Sequence, residues 1–398
     1  MSTLSGIRVI DFSKVLAGPL CTQYLGDMGA EVIKVETVKG GDDTRRWPPF
    51  HGDKGTVFLS ANRNKQSVAL DLKTSEGLEI AHRLIKTADV VVESFGPGVT
   101  SRLKIDYETV KNINPDIVYC SISGFGRTGP LKNAKGYDVI LQAFSGMMAI
   151  TGEPDGAPVR SPFSPIDQAT GMHAAIGILA AIIKRMKTGQ GTLIEASLFD
   201  TSIGFLGYVA QSFWERRSEP RRWGSAHESL CPYQVFDAED RPFLLGVAND
   251  SLWQAFCRAT AAPELARDAR FMTNADRVEH RAETLAEVQR ILLQHPRDYW
   301  LEHLTNAGIP CASIQEIGEM LSHPHTRESG IIQEFTQGEG APINVVAQPL
   351  RFNGERNALR YPPPALGQHT KEILLGLGYG AADIDAFVQN GSVQASAQ

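Results

Sequence analysis

The strongest constraint on this chain is a rhythm in its first third. Short runs rich in β-branched residues, GIRVIDF at 6–12, EVIKVE at 31–36, SVALDL at 67–72, DVVVES at 89–94 and DIVYCSIS at 116–123, alternate with stretches of helical spacing such as PLCTQYLGDMG and SEGLEIAHRLIK. Strands separated by helices make βαβ units, and their crossovers place neighbouring strands parallel. An α/β fold with a mostly parallel sheet is therefore expected. An apolar segment at 137–149, a helix over about 168–187, the strand TLIEASLF and a further helix through about 215 continue the pattern.

The Arg-rich bridge SFWERRSEPRRWGSAH (212–227) breaks the rhythm and leads into YQVFDAEDRPFLLGVAND, which reads as a β-hairpin. Helical patterns follow at 251–260, 276–294 and 297–307, so residues 228–325 read as a smaller α+β domain. The remaining tail, 326–398, holds one helix, TKEILLGLG, and is too small to fold alone, so it is expected to return to the first domain.

A formal net charge of -6 argues against nucleic acid or an anionic membrane as the main partner, yet leaves room for a local basic pocket. The five cysteines are far apart, with no CxxC and no metal-ligand spacing, as in a reducing compartment. No signal-peptide pattern precedes GIRVIDF, and no run reads as the roughly 18 apolar residues that a membrane span needs. The expected location is the cytoplasm, or an organelle matrix after loss of a presequence.

GFGRTG at 124–129 fits the GxGxxG dinucleotide fingerprint, but only in its letters. That motif works because its last glycine opens a helix whose N-terminus holds a pyrophosphate, with an acid about 20 residues on for the ribose. Here Pro130 and LKNAKG follow, and the next acid, Asp138, lies inside the coming apolar segment. A Gly-rich loop at the carboxyl edge of the sheet is the better reading. GxSxG, HExxH and Walker patterns are missing, the ten histidines show no metal spacing beyond His323-Pro-His325, and no metal is expected.

SPFSPIDQATG (161–171) sets one acid, Asp167, before a long apolar helix. Asp is a favoured helix N-cap, so a capping role is the plain reading. A helix N-terminus also stabilises a carboxylate and offers N–H groups to a developing oxyanion, so Asp167 could instead serve as a covalent nucleophile. The residues alone permit both. Gly171, Ala174, Ala175 and Gly177 would let this helix approach other backbone closely. Lys34, Lys73, Arg102 and Lys135 flank predicted strand ends, where a phosphorylated ligand could be held.

LSGIRVIDFSKVLAGPLCTQYLGDMGAEVIKVE, GDDTRRW, NRNKQSVALDLK, ESFGPG, GYDVILQAFSGMM and SPIDQATGMHAAIGILAAI together resemble the class III coenzyme A transferases, in register from about residue 4 to 380. The resemblance implies a Rossmann-like large domain over 1–213 joined by the C-terminal tail, a linker at 214–227, the small domain, and two ring-like chains interlocked as a homodimer. It places the catalytic aspartate on Asp167, which would attack an acyl-CoA thioester and pass through an aspartyl-CoA intermediate. CoA is then a substrate, with no tightly bound cofactor and no ATP. CoA contacts map onto Val15, Ala17, Leu70, Lys73, Phe95, Arg102, Lys135 and Tyr137, with Phe95 near adenine and Arg102 and Lys135 near phosphates.

Leu16 stands where the formyl-CoA/oxalate enzymes carry Gln, and RRWGSAHESLCPYQ replaces their mobile Gly-rich loop, so formate and oxalate are not the expected acceptors. The related α-methylacyl-CoA racemases use a GHD motif, whereas this chain has GYD with Tyr137 in the histidine's place; a phenol, ordinarily near pKa 10, is a poor base at neutral pH. KVLAGP, GDDTR, RWGSAH, CPYQ and PPPALGQHT resemble the succinyl-CoA:dicarboxylate branch, whose acceptors include glutarate-, itaconate- and citramalate-type acids. Leu16, Arg45, Arg46 and His227 are then candidate acceptor contacts. A racemase-like enzyme and a non-catalytic acyl-CoA-binding homologue are the alternatives.

Overall fold

The computed structural model describes residues 2–336 and 342–396; of the expected return segment, 337–341 and 397–398 lie outside the described residues. The chain divides into two compact units, one of residues 1–147, 161–211 and 324–398, the other of 148–160 and 212–323. Residues 148–160 therefore group with the second unit, although the sequence reading assigned them to the large domain.

The first unit is built on a seven-stranded sheet. Its main strands are β1 (Arg8–Asp11), β2 (Glu31–Glu36), β3 (Lys65–Leu70), β4 (Val90–Glu93), β5 (Val118–Ser123) and β6 (Thr192–Ser197). They lie in the order 3-2-1-4-5-6, all parallel, with Ile10 paired to both Ile33 and Val91. A last strand, Val393–Gln394, joins β3 antiparallel, so the sheet is mixed. Sequence reading missed this strand because two residues carry no periodicity.

Both faces of the sheet are covered, which is why its strands read as almost unbroken β-branched runs. Val9, Val32, Val90, Val92, Val118 and Cys120 form one core with α1 (Ala17–Asp27) and the long helix that follows the Asp167 loop. Ile10, Ile33, Val68, Val91 and Tyr119 form the other with α2 (Ser75–Lys86), whose start is capped by Thr74. Strand order reverses between β1 and β4, so the loops after these two strands diverge and leave a crevice at their carboxyl ends.

Past β5 the chain runs through the Gly-rich loop without a helix until α3 (Asp138–Phe144), and then to α4 (Pro165–Thr188). Ile166, Thr170, Gly171, Ala174, Ile178, Ala181 and Ile182 are the buried stripe of α4, and Gly189 ends it in the left-handed conformation. A Cβ on Gly171 would lie 2.6 Å from the Ala17 carbonyl oxygen, so α4 meets α1 backbone to backbone. By length and composition α4 is apolar enough to cross a membrane, contrary to the expectation that no segment would be; in this fold its inner stripe lies in the core of the unit.

The second unit pairs Tyr233–Asp237 with Pro242–Gly246, the expected hairpin, and adds Cys311–Ser313 at the far edge. The helices Asp250–Ala259, Arg281–Leu292 and Arg297–Asn306 enclose its core of Phe236, Phe243, Trp253, Phe256 and Trp300. All five cysteines are free.

Candidate active site

At the strand-order reversal the loops after β1, β4 and β5 surround a cleft of about 370 Å³. Val15, Leu16 and Ala17 line it from the first loop, Phe95 from the second, Arg127, Lys135 and Tyr137 from the third, and Asp167 from the start of α4. All of these residues belong to the first unit.

Asp167 does not cap its helix. Ser164, in a left-handed conformation at φ 51, is the N-cap residue and makes no side-chain cap bond; Pro165 opens the helix, and Asp167 sits inside the first turn. The helix start is held from another element. One Asp138 carboxylate oxygen accepts from the N–H of Ile166 at 2.8 Å and of Asp167 at 3.1 Å. Asp138 is buried, and its other oxygen accepts from Gln142, which also clamps Ser161 through both backbone groups. The capping role expected of Asp167 therefore falls to Asp138, because the chain enters the helix past Pro165 and turns the α3 carboxylate onto the free N–H groups.

This arrangement releases the Asp167 carboxylate toward the cleft and raises its proton affinity. Burial comes first, and the Asp138 charge adds to it; together they push the Asp167 carboxyl up to about 7. Near neutral pH such a group is divided between acid and carboxylate, and its ionised form is more basic than an ordinary aspartate.

Glycine contacts fix the neighbouring loops. A Cβ on Gly124 would lie 2.7 Å from the Gly136 Cα, so the GFGRTG loop crosses the residue before Tyr137 at backbone contact. The fingerprint's first glycine is spent on chain crossing, and no helix follows its last. Arg127, which the sequence reading passed over, pairs with buried Glu93 at 2.8 Å and donates to the Phe95 carbonyl at 3.2 Å, binding the β4 and β5 loops together.

Of the positions expected to contact CoA, Val15, Ala17, Phe95, Lys135 and Tyr137 line this cleft, with Tyr137 58% exposed. The Leu70 side chain is buried in the core, while Lys73 and Arg102 are exposed outside the cleft lining. Lys34, a candidate phosphate contact, is fully buried and paired with Asp42.

Arg45 is also buried: its Nε and Nη2 donate to the two Glu36 carboxylate oxygens at 2.7 Å and its Nη1 to the Pro364 carbonyl at 3.0 Å, so its guanidinium is engaged within the fold and not with an acceptor acid. Arg46 is exposed and pairs with Asp43, a cleft residue. His227 lies in the second unit, where its Nδ1 accepts from the Ser229 N–H. Among the described residues no group of three or more His, Cys, Asp or Glu side chains could hold a metal ion.

Fold and cleft together define an α/β protein that presents one basic carboxylate, at a sheet switch point, between walls carrying cationic side chains. The chain belongs to CoA-transferase family III, whose model matches residues 4–370. It is 38% identical over 396 residues to the mouse succinyl-CoA:glutarate CoA-transferase, covering 99% of this chain and 91% of that protein. It is 39% identical to the acetyl-CoA:oxalate CoA-transferase of Acetobacter aceti over 81% of this chain and 83% of that one. The crystal structure of a CAIB/BAIF family protein from Brucella suis superposes with a TM-score of 0.83 at 36% identity, covering 94% of this chain and 99% of that one.

Proposed function

We propose that this enzyme moves CoA from an acyl-CoA, succinyl-CoA first among them, to a dicarboxylic acid through an aspartyl-CoA thioester on Asp167. The observation that carries this reading is the carboxylate itself: freed from capping by Asp138, it faces the cleft with its carboxyl pushed up to about 7. Ionised Asp167 attacks the thioester carbonyl, expelling CoA thiolate and forming a mixed anhydride. The thiolate then attacks the Asp167 carbonyl, and the donor acid leaves as its carboxylate. An acceptor carboxylate attacks the aspartyl-CoA thioester, and the released thiolate takes the acceptor acyl group from the second anhydride, regenerating Asp167.

Each thioester consumed is matched by one formed, so the transfer needs no other energy source. The first N–H groups of α1, beginning at Ala17 on the cleft wall, suit the oxyanion of each tetrahedral step. Phe95, Lys135 and Tyr137 fit the body of CoA, while exposed Lys73 and Arg102 and the backbone at Leu70 would serve its outer nucleotide. For the acceptor, Leu16 and Arg46 remain candidates beside the cleft.

Glutarate-, itaconate- and citramalate-type acids fit the resemblance, and the mouse relative's name supports glutarate. The Acetobacter relative brings oxalate back into the panel despite Leu16. Tyr137 in place of a histidine weighs against racemisation, since a phenol supplies no second base at neutral pH. A homodimer accounts for the bare apolar stripe of α4, with Ile176 63% and Met186 80% exposed in the single chain.

The test is a panel of carboxylic acids incubated with succinyl-CoA and the enzyme. A new acyl-CoA from glutarate or a related diacid, lost in Asp167→Asn, supports the proposal; exchange that survives Asp167→Asn refutes the nucleophile, and α-deuterium exchange without transfer refutes the transferase.

A further inference from the structure

The turn joining β1 to α1 is strained, and buried charge holds it. Val15 has φ 68, a left-handed conformation that a β-branched residue rarely takes and that persists only where its surroundings over-determine it. Ser13 donates through its N–H and hydroxyl to Asp11, and the Lys14 N–H donates to Ser94 Oγ at 2.9 Å. The Val15 N–H is shared between both Asp42 oxygens, at 3.2 and 3.4 Å. Lys34 donates to the Ser13 carbonyl at 2.9 Å and to Asp42 at 3.0 Å.

Lys34 and Asp42 are almost wholly buried. A buried ion pair is weak evidence for stability, because well-packed apolar residues often replace one at no loss. This pair does something apolar residues could not: it grips the turn from both ends, by the carbonyl of Ser13 and the N–H of Val15. Asp42 is itself fixed by the Thr44 N–H and hydroxyl, at 3.0 and 2.8 Å. The residues after the turn reach the cleft beside Asp167, and the Ala17 carbonyl abuts Gly171, four residues beyond Asp167 on α4.

We propose that Lys34 and Asp42 are positioning residues, which hold the Ser13–Leu16 turn in its left-handed form and so set the start of α1 against the Asp167 carboxylate. The inference rests on the transferase reading of the cleft. In full-length protein, Asp42→Asn removes the charge that pairs with Lys34 and sets an amide donor against either Lys34 and the Val15 N–H or the Thr44 N–H that fixes the side chain, and so releases the turn. Its kcat should fall roughly 100-fold while the Kd for CoA, read by calorimetry, stays within about threefold.

Glycine takes positive φ without being held, so Val15→Gly in the Asp42→Asn background should restore kcat by about tenfold over Asp42→Asn alone. Lys34→Met should lower kcat in the same sense. Should Asp42→Asn not fold, Lys34→Met, which removes the hold on the Ser13 carbonyl, carries the same test, with its loss of kcat likewise recovered by Val15→Gly. A kcat unchanged in the hold-deleting variant, or a loss that glycine does not recover, overturns the proposal. If the wild-type enzyme transfers no CoA at all, the transferase reading fails and this one with it; if it does, only the positioning role is at stake.

Discussion

Replacing Asp167 with Asn should stabilise the protein, and the gain should depend on pH. Moving a carboxyl from its ordinary 3.8 to about 7 on folding corresponds to about 4 kcal/mol between its protonation states. The folded chain binds this proton more tightly than the unfolded chain, so protonated Asp167 favours folding. That contribution is complete below pH about 4 and is lost as pH rises through about 7. At pH 8 wild-type protein therefore carries the full cost of an ionised Asp167, which a neutral amide of the same shape does not. Residual solvent contact reduces the difference to about 2–4 kcal/mol. With an unfolding entropy near 2.1 cal/mol/K per residue, a chain this long gains about 2–5 °C in Tm.

The assay is thermal unfolding of wild type and Asp167→Asn across pH 5 to 8, at fixed protein concentration and without CoA. By pH 5 less than half the gain should remain. A gain that is the same at both ends of the range, or no gain at pH 8, would refute the raised proton affinity and with it the account of Asp167 as a basic carboxylate. Under the proposed mechanism the same substitution should abolish transfer, so stability and activity should move in opposite directions, as expected of a group kept for chemistry at the fold's expense.

Two further outcomes follow from the site. Asp138→Asn removes the like charge beside Asp167, so the acidic limb of the kcat/KM profile for the free enzyme, expected near pH 7, should move to lower pH; a limb that stays in place would leave burial as the whole cause. Gly171→Ala places a Cβ 2.6 Å from the Ala17 oxygen, so α1 and α4 must separate, at about 1–3 kcal/mol in thermal or denaturant unfolding. Wild-type stability in that variant would mean that the helices do not meet backbone to backbone.

Much of the scaffold was legible in the chain. EVIKVE and VVVE read as strands because a parallel sheet buried on both faces favours β-branched residues along most of each strand, and SEGLEIAHRLIK read as a helix because one stripe is apolar, its start capped in the structure by Thr74. Asp167 was legible as a candidate because the family resemblance placed the catalytic aspartate on it, whereas its spacing alone read as a helix cap. What such reading could not supply was anything set by partners far along the chain. Arg45 and Lys34 look like free cations in sequence, and only their buried pairing with Glu36 and Asp42 removes them from the list of ligand contacts.

The sequence by itself determined the alternation that makes an α/β sheet, which depends on local periodicity, and its resemblance to the family singled out Asp167; the strand order, and with it the place of the cleft, came only with the fold. Tertiary structure alone decided what that acid is free to do. Asp138, 29 residues earlier, takes the helix N–H groups that Asp167 would otherwise have bonded, and adds its charge to burial in raising the Asp167 carboxyl. Desolvation and through-space repulsion have no signature in residue order; they exist only once α3 is packed against the start of α4.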